Sequence, residues 1–318
     1  MSINRRRAVQ LLSTAALTAW LRHPLESWAD ESSPSKSKQT KSSDNVDGDL
    51  PYLDRIGLQL YTVRDQMKQD PKSTLKAIAD AGYRQVELMS IDEDAIGLAG
   101  MARDAGLMVH SGFMDFNVIT APDRKDVASI NQTIEWAERI GLRHIVFGYI
   151  ARTQRDTADK CRAIASRTNT AAEATRKAGM RMCYHNHAFE FGTLGEGDQS
   201  TTAFDIFIER FDPQFVEFEL DVFWAKIGGH DPLELMKRLA GRISQVHLKD
   251  LQEGTPVIFD EAKVPKTAFE ELGDGVIPIP NVMRLAKSIG VDQCHVEQDQ
   301  SPAPLQSISQ SAAFLRSS

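Results

Sequence analysis

The segments HNHAFEF, ELDVFW, VHLKD and HVEQD each carry a side chain able to bind a divalent metal: Glu190, Asp221, His247 and Glu297. Taken singly, each carboxylate is more readily a surface group or a helix N-cap. Their recurrence at successive strand-like segments points to one shared ion. Two Glu, one Asp and one neutral imidazole make a hard, mostly oxygen set of ligands, suited to Mn²⁺, Mg²⁺, Co²⁺ or Zn²⁺. Such a set leaves neighbouring positions on an octahedral ion open to adjacent oxygens of a sugar or polyol. The chemistry expected is metal-dependent turnover of a small carbohydrate.

Other residues extend this reading. His185 and His187 flank Asn186, and strand alternation would point both into a barrel. As neutral imidazoles they could act as base, acid or hydrogen-bond donor, or they could only orient Glu190. Lys249 follows His247 by two and shares its expected orientation. It would polarise a carbonyl or hold an anionic oxygen, or else pair with Asp250, Glu219 or another rim carboxylate. Gln59 and Glu87 are candidate hydroxyl contacts, and His110 is either a ligand contact or a satisfied core histidine. Trp224 would form an apolar wall for a sugar face, or plain packing. Proton abstraction beside a carbonyl gives an enediolate whose adjacent oxygens a metal can stabilise. Glu190 and Glu297 are then the natural acid/base pair. The same constellation could expel a β-leaving group from a 3-keto sugar.

Strands and helices must bring these residues together. Short apolar runs begin at Ile56, Gln85, Leu107, His144, Arg181, Val216, Ser244 and Gln293, separated by amphipathic stretches with apolar residues three and four apart. Glycines at 82, 106, 141, 179 and 290 close the helical stretches just before the next strand. Strict β/α alternation with eight strands predicts a (β/α)₈ TIM barrel, in which working residues lie at the C-terminal strand ends. A doubly wound open sheet would need a Gly-rich turn after the first strand, and Leu58-Gln59-Leu60-Tyr61-Thr62 offers none. The stretch from Leu251 to Gly275 is too long for an ordinary connection. It reads as a substrate-covering loop or a disordered excursion, with Gly273 and Gly275 able to bring backbone N–H groups to a substrate.

Residues 1–29 resemble a twin-arginine export signal: Arg5, Arg6 and Arg7, a mildly apolar run from Ala8 to Leu21, then Ser27-Trp28-Ala29. The alternative is a basic, disordered start. That run is too short to span a bilayer, which takes ~20 residues, so no stable membrane insertion is expected after processing. Residues 30–54 read as a flexible linker and 55–318 as the barrel. Residues 1–29 hold four basic and one acidic side chain, so the remainder has 33 basic against 43 acidic residues and a net charge near −10. An acidic domain with no basic cluster argues against nucleic acid as partner. Cys161, Cys183 and Cys294 lack metal or redox spacing and read as buried free thiols. Export, to the periplasm, would favour a free sugar or keto-sugar over a sugar phosphate. Oligomeric state has no signal in the sequence.

At GLQLYTVR, YHNHAFEF, ELDVFW, VHLKD and VEQD the chain resembles the xylose isomerase-like TIM-barrel family, also called the sugar phosphate isomerase/epimerase family, over Arg55 to Arg316. The YHNH version marks one branch of it. The resemblance implies one divalent metal held by Glu190, Asp221, His247 and Glu297. Its members include aldose–ketose isomerases, ketose 3-epimerases, inosose dehydratases, 3-keto-glycoside-cleaving enzymes and endonuclease IV. The additional histidines of the nuclease are missing here, with Glu87 on strand two and only Asp221 on strand six. The expectation is a metal-dependent isomerase or epimerase; a 3-keto-glycoside lyase or hydrolase and a non-catalytic, exported sugar-binding protein are the alternatives.

Overall fold

Parallel strands β1 (Gly57–Gln59), β2 (Gln85–Leu88), β3 (Met108–Phe113), β4 (His144–Phe147), β5 (Arg181–His185), β6 (Val216–Asp221), β7 (Ile243–Leu248) and β8 (Gln293–Val296) close on themselves in a computed structural model that describes residues 50–194 and 201–318. Each strand pairs with its sequence neighbours, and β8 pairs with β1. This is the expected (β/α)₈ barrel. Strand interiors are almost wholly buried because the barrel lumen covers one face and the helices the other.

The helices start and stop for local reasons. Asp92, Ser129 and Thr157 each accept a backbone N–H of the first turn through the side chain. Gly141 ends its helix at φ 84°, where a Cβ would be strained, and the other four expected helix stops also have positive φ. All three cysteines are buried free thiols. Among the described residues no helix is long and apolar enough to cross a membrane.

Two register shifts matter for the site. Between β2 and β3 the pairing jumps from Val86↔Val109 to Glu87↔Ser111, which leaves His110 as an extra residue. Between β6 and β7 it jumps from Phe218↔Ile243 to Glu219↔Gln245, so that Asp221 lies opposite His247.

The expected signal segment lies outside the described residues, as does most of the expected linker. The linker's last residues do not behave as a linker. Leu50 and Tyr52 are buried, and the Tyr52 hydroxyl donates to the Val291 carbonyl at 2.8 Å. The stretch after β7 is ordered too. Asp250–Leu251 and Phe269–Glu270 form a short antiparallel pair, with single turns at Glu261–Lys263 and Lys266–Ala268.

Candidate active site and metal centre

At the C-terminal mouth a cavity of about 560 Å³ is lined by Gln59, Phe113, His185, His187, Trp224 and Lys249, with Glu297 and Asp299 on its rim. Asp221 ends β6 and caps the helix Val222–Ile227, its Oδ1 accepting the Trp224 N–H at 2.8 Å. Its other oxygen, Oδ2, accepts no hydrogen bond, although the Lys249 ammonium stands 3.1 Å away. His247, facing Asp221 across β6 and β7, turns Nε2 downward to Glu87 at 2.6 Å and Glu219 at 3.3 Å. Its Nδ1 lies 2.9 Å from Glu297 and 3.9 Å from Asp221. His185 places Nδ1 3.2 Å from Glu219, an arrangement that leaves Nε2 free for a ligand. His185, Asp221 and His247 each present a ligand atom within 4.8 Å of the others.

The strand-five residue that joins this group is His185, and the structure does not bring Glu190 into it. β5 ends at His185, and the chain then enters the turn Phe189–Phe191. Glu190 is buried there with both oxygens engaged: Oε1 accepts from the Tyr184 hydroxyl at 2.5 Å, and Oε2 from the His187 N–H at 2.9 Å. Burial pushes its carboxyl up to about 8, against the pull of those hydrogen bonds.

Lys249 is surrounded by negative charge. Its ammonium lies 2.6 Å from Glu297, 3.0 Å from Asp299 and 3.1 Å from Asp221. Burial works against the charge, but these carboxylates hold the ammonium well above its ordinary pKa. Burial would likewise raise Glu297, yet Lys249 and His247 bring it down to about 2. Burial pushes Asp299 up to about 7. Of the partners expected for Lys249, Asp250 is elsewhere. Its carboxylate accepts the N–H groups of Gly273, Gly275 and Ile277. Those glycine N–H groups thus serve the loop and are not offered to a substrate. A Cβ on Gly275 would collide with Asp250 itself.

Beneath the cavity lies a second layer. Glu87 is fully buried, accepting from Gln59 Nε2 at 3.0 Å and Ser111 Oγ at 2.5 Å besides contacting His247. It is a support for His247, not a hydroxyl contact. Burial would lower the pKa of His247, but Glu219 and Glu87 raise it well above 6.5. Such carboxylate–histidine pairs fix which ring nitrogen faces the site. Gln59 does line the cavity, but its carbonyl oxygen is committed to the Tyr61 N–H. His110 is corrected as well. As the extra residue of the β2–β3 shift it lines a cavity at the opposite, N-terminal mouth, and Phe113 takes the position expected of it.

His187 and Trp224 form one wall, their rings 5.4 Å apart, with His187 also stacked on Phe189 at 5.4 Å. His187 Nδ1 and Trp224 Nε1 are buried without a hydrogen-bond partner. Burial first, then Lys249, lowers the His187 pKa to about 3, so the ring is neutral. The long stretch after β7 covers the cavity. Glu261 reaches across it to Arg155 at 3.1 Å and to the Tyr149 hydroxyl at 3.3 Å. Sequence patterns alone do not mark Asp299, Phe113, Tyr149 or Glu261 as site residues, and Glu219, expected beside Lys249, faces His185 and His247. Asp299 has a signal, lying two residues after Glu297; Glu261 has none.

Residues 75–318 match the model of the xylose isomerase-like TIM barrel. The chain belongs to that family. An inosose dehydratase from Klebsiella pneumoniae strain 342 is 32% identical over 152 residues, 44% of this chain and 48% of that protein. Another from Geobacillus kaustophilus is 33% identical over 159 residues, 47% and 49% of the two chains. The chain thus spans about half the length of the curated relatives it matches. Among solved structures, a sugar phosphate isomerase/epimerase from Parabacteroides distasonis superposes with a TM-score of 0.68 at 25% identity, covering 83% of this chain and 94% of that one. An L-ribulose 3-epimerase superposes with a TM-score of 0.59 at 18% identity over 82% and 93%, a likeness of fold.

Proposed function

We propose that this protein is a divalent-metal-dependent enzyme that abstracts a proton beside the carbonyl of a free sugar or keto-sugar, giving isomerisation or epimerisation. The observation that carries the reading is the convergence of His185, Asp221 and His247, with Glu297 beside them, next to the unpartnered Nδ1 of His187. In this reading the metal ligands are His185, Asp221, His247 and Glu297, and Glu190 is a neutral support for the loop that carries His187. Asp221 Oδ2, buried without a hydrogen bond, fits a cation. A bound divalent ion there supplies Lewis-acid polarisation of a substrate oxygen.

The remaining work falls to the chain's own residues. Neutral His187 lines the cavity and its ring serves as proton acceptor and donor. Lys249 donates to a substrate oxygen that gains negative charge. Trp224 supplies the flat apolar wall for a sugar's C–H face. The segment carrying Glu261 excludes water.

A second reading, dehydration of a keto-polyol, is favoured by the inosose dehydratase relatives. It shares the same first proton abstraction and differs in expelling a hydroxyl from the next carbon. Purified protein would be analysed for metal and then screened with free and keto-sugars in deuterated water. Stoichiometric metal with deuterium incorporated at a carbon beside the carbonyl supports the enzyme. Sugar binding without exchange would leave a sugar-binding protein instead. Loss of water from the product would select the dehydratase.

Export through the twin-arginine route is part of the proposal. Replacing Arg5, Arg6 and Arg7 by Lys should hold the precursor in the cytoplasm, and unimpaired export of that variant would remove this part.

A further inference from the structure

The opposite, N-terminal mouth of the barrel holds a cavity of about 980 Å³ with a different chemistry. Arg55, Arg143, Arg176, Arg181 and Lys287 line it, and Asp292 is the one carboxylate among its lining residues. Arg181 is spoken for, at 2.6 Å from Asp292 and 3.4 Å from Glu217. Among the described residues, no side-chain partner is found for Arg143, Arg176 or Lys287. A protein whose overall charge is negative has gathered unpaired cations at one opening.

Two further observations indicate that these cations line a site. His144, the first residue of β4, lines the cavity with its side chain only 3% exposed, and neither ring nitrogen has a hydrogen-bond partner. Asp292 Oδ2 stands 3.7 Å from its Nε2, beyond hydrogen-bond reach. Arg55 Nε, in the same lining, is also buried without an acceptor. Burying a donor without an acceptor is destabilising, so a structure that keeps such donors invites a ligand that accepts from them.

We propose that this mouth binds a compact polyanion, phosphate or a phosphate ester, independently of the metal centre. Arg143, Arg176 and Lys287 would meet its charge from the rim, while His144 and Arg55 Nε donate from the floor. Guanidinium forks match phosphate oxygens in geometry as well as charge. A metal cation is the poorer occupant. His144, Cys183 and Glu217 do present ligand atoms within 4.8 Å of one another, but Arg181 already neutralises Glu217 and the lining cations repel a second positive ion.

The test titrates inorganic phosphate into the full chain by calorimetry, with chloride holding ionic strength constant, before and after removal of metal by a chelator. Saturable binding of one phosphate per chain, unchanged by the chelator, is expected. The triple variant Arg143→Gln, Arg176→Gln, Lys287→Gln should weaken it by about a hundredfold or more. In proton spectra the ring signals of His144, assigned with His144→Gln, should move with the same midpoint, a readout that stands even if the triple variant does not fold. Absence of saturable binding would overturn the proposal. So would undiminished affinity in a folded triple variant, or shifts confined to the rings of His185, His187 and His247.

Discussion

The two mouths of this barrel are built on the same strands and carry opposite chemistry. At the C-terminal mouth Asp221, Glu297 and Asp299 crowd around a single ammonium, with neutral imidazoles beside them. At the N-terminal mouth several cations share a cavity with one carboxylate. A parallel barrel divides its labour along the strand direction. Every strand enters from one mouth and leaves by the other, so a residue's place along its strand decides which chemistry it joins. His144 opens β4 and His185 closes β5; similar in burial, they belong to opposite sites.

Disabling the acidic mouth should produce the largest effect. Asp221→Asn keeps the helix cap through its side-chain oxygen but removes the charge facing the cavity. Metal should fall well below one per chain and turnover drop by about a thousandfold or more, with the fold retained by circular dichroism. Next comes the wall. His187→Asn removes the titratable ring but leaves the ligands, so metal content should hold while turnover falls by roughly 10²–10⁴. Metal loss in that variant would instead put His187 among the groups that support the ion.

The covering segment should give a smaller effect. Glu261→Gln loosens the link to Arg155 and Tyr149 and should raise KM by about three- to tenfold with metal content unchanged. An unchanged KM would make the segment a bystander.

Glu190 separates the mouths by pH, since it supports only the acidic one. Because burial raises its carboxyl from 4.5 to about 8, the folded state holds that proton more tightly than the unfolded chain does. Its contribution is therefore full below the ordinary value and is lost as pH rises from 4.5 towards 8. In Glu190→Gln the melting temperature should lose this part of its decline across that window, while at acid pH it stays close to that of the original chain. A variant that declines as steeply would show that Glu190 is not the group responsible.

Much of this architecture is legible in the amino-acid sequence. Alternating periods and glycine stops define the eight strands, and Asp221, His247 and Glu297 fall at the ends of β6, β7 and beyond β8 as the pattern requires. The illegible parts lie where a strand bulges or ends early. The sequence does not separate the two readings open for His110, because nothing in it announces the shift opposite Val86 and Glu87. The YHNHAFEF run likewise does not reveal that β5 stops at His185 and that Glu190, in the turn beyond it, bonds to Tyr184 and the His187 N–H. Glu87 and Glu219 form the layer under His247, a role that depends on which nitrogen they face and not on spacing.

In the proposed metal centre it is His185, and not Glu190, that completes the ligand set on strand five. The deciding measurement is metal content side by side in His185→Ala and Glu190→Gln, after equal exposure to Mn²⁺ and gel filtration. Stoichiometric metal should be lost from His185→Ala, and about one ion per chain should remain in Glu190→Gln. Full metal in His185→Ala together with loss from Glu190→Gln would contradict the assignment.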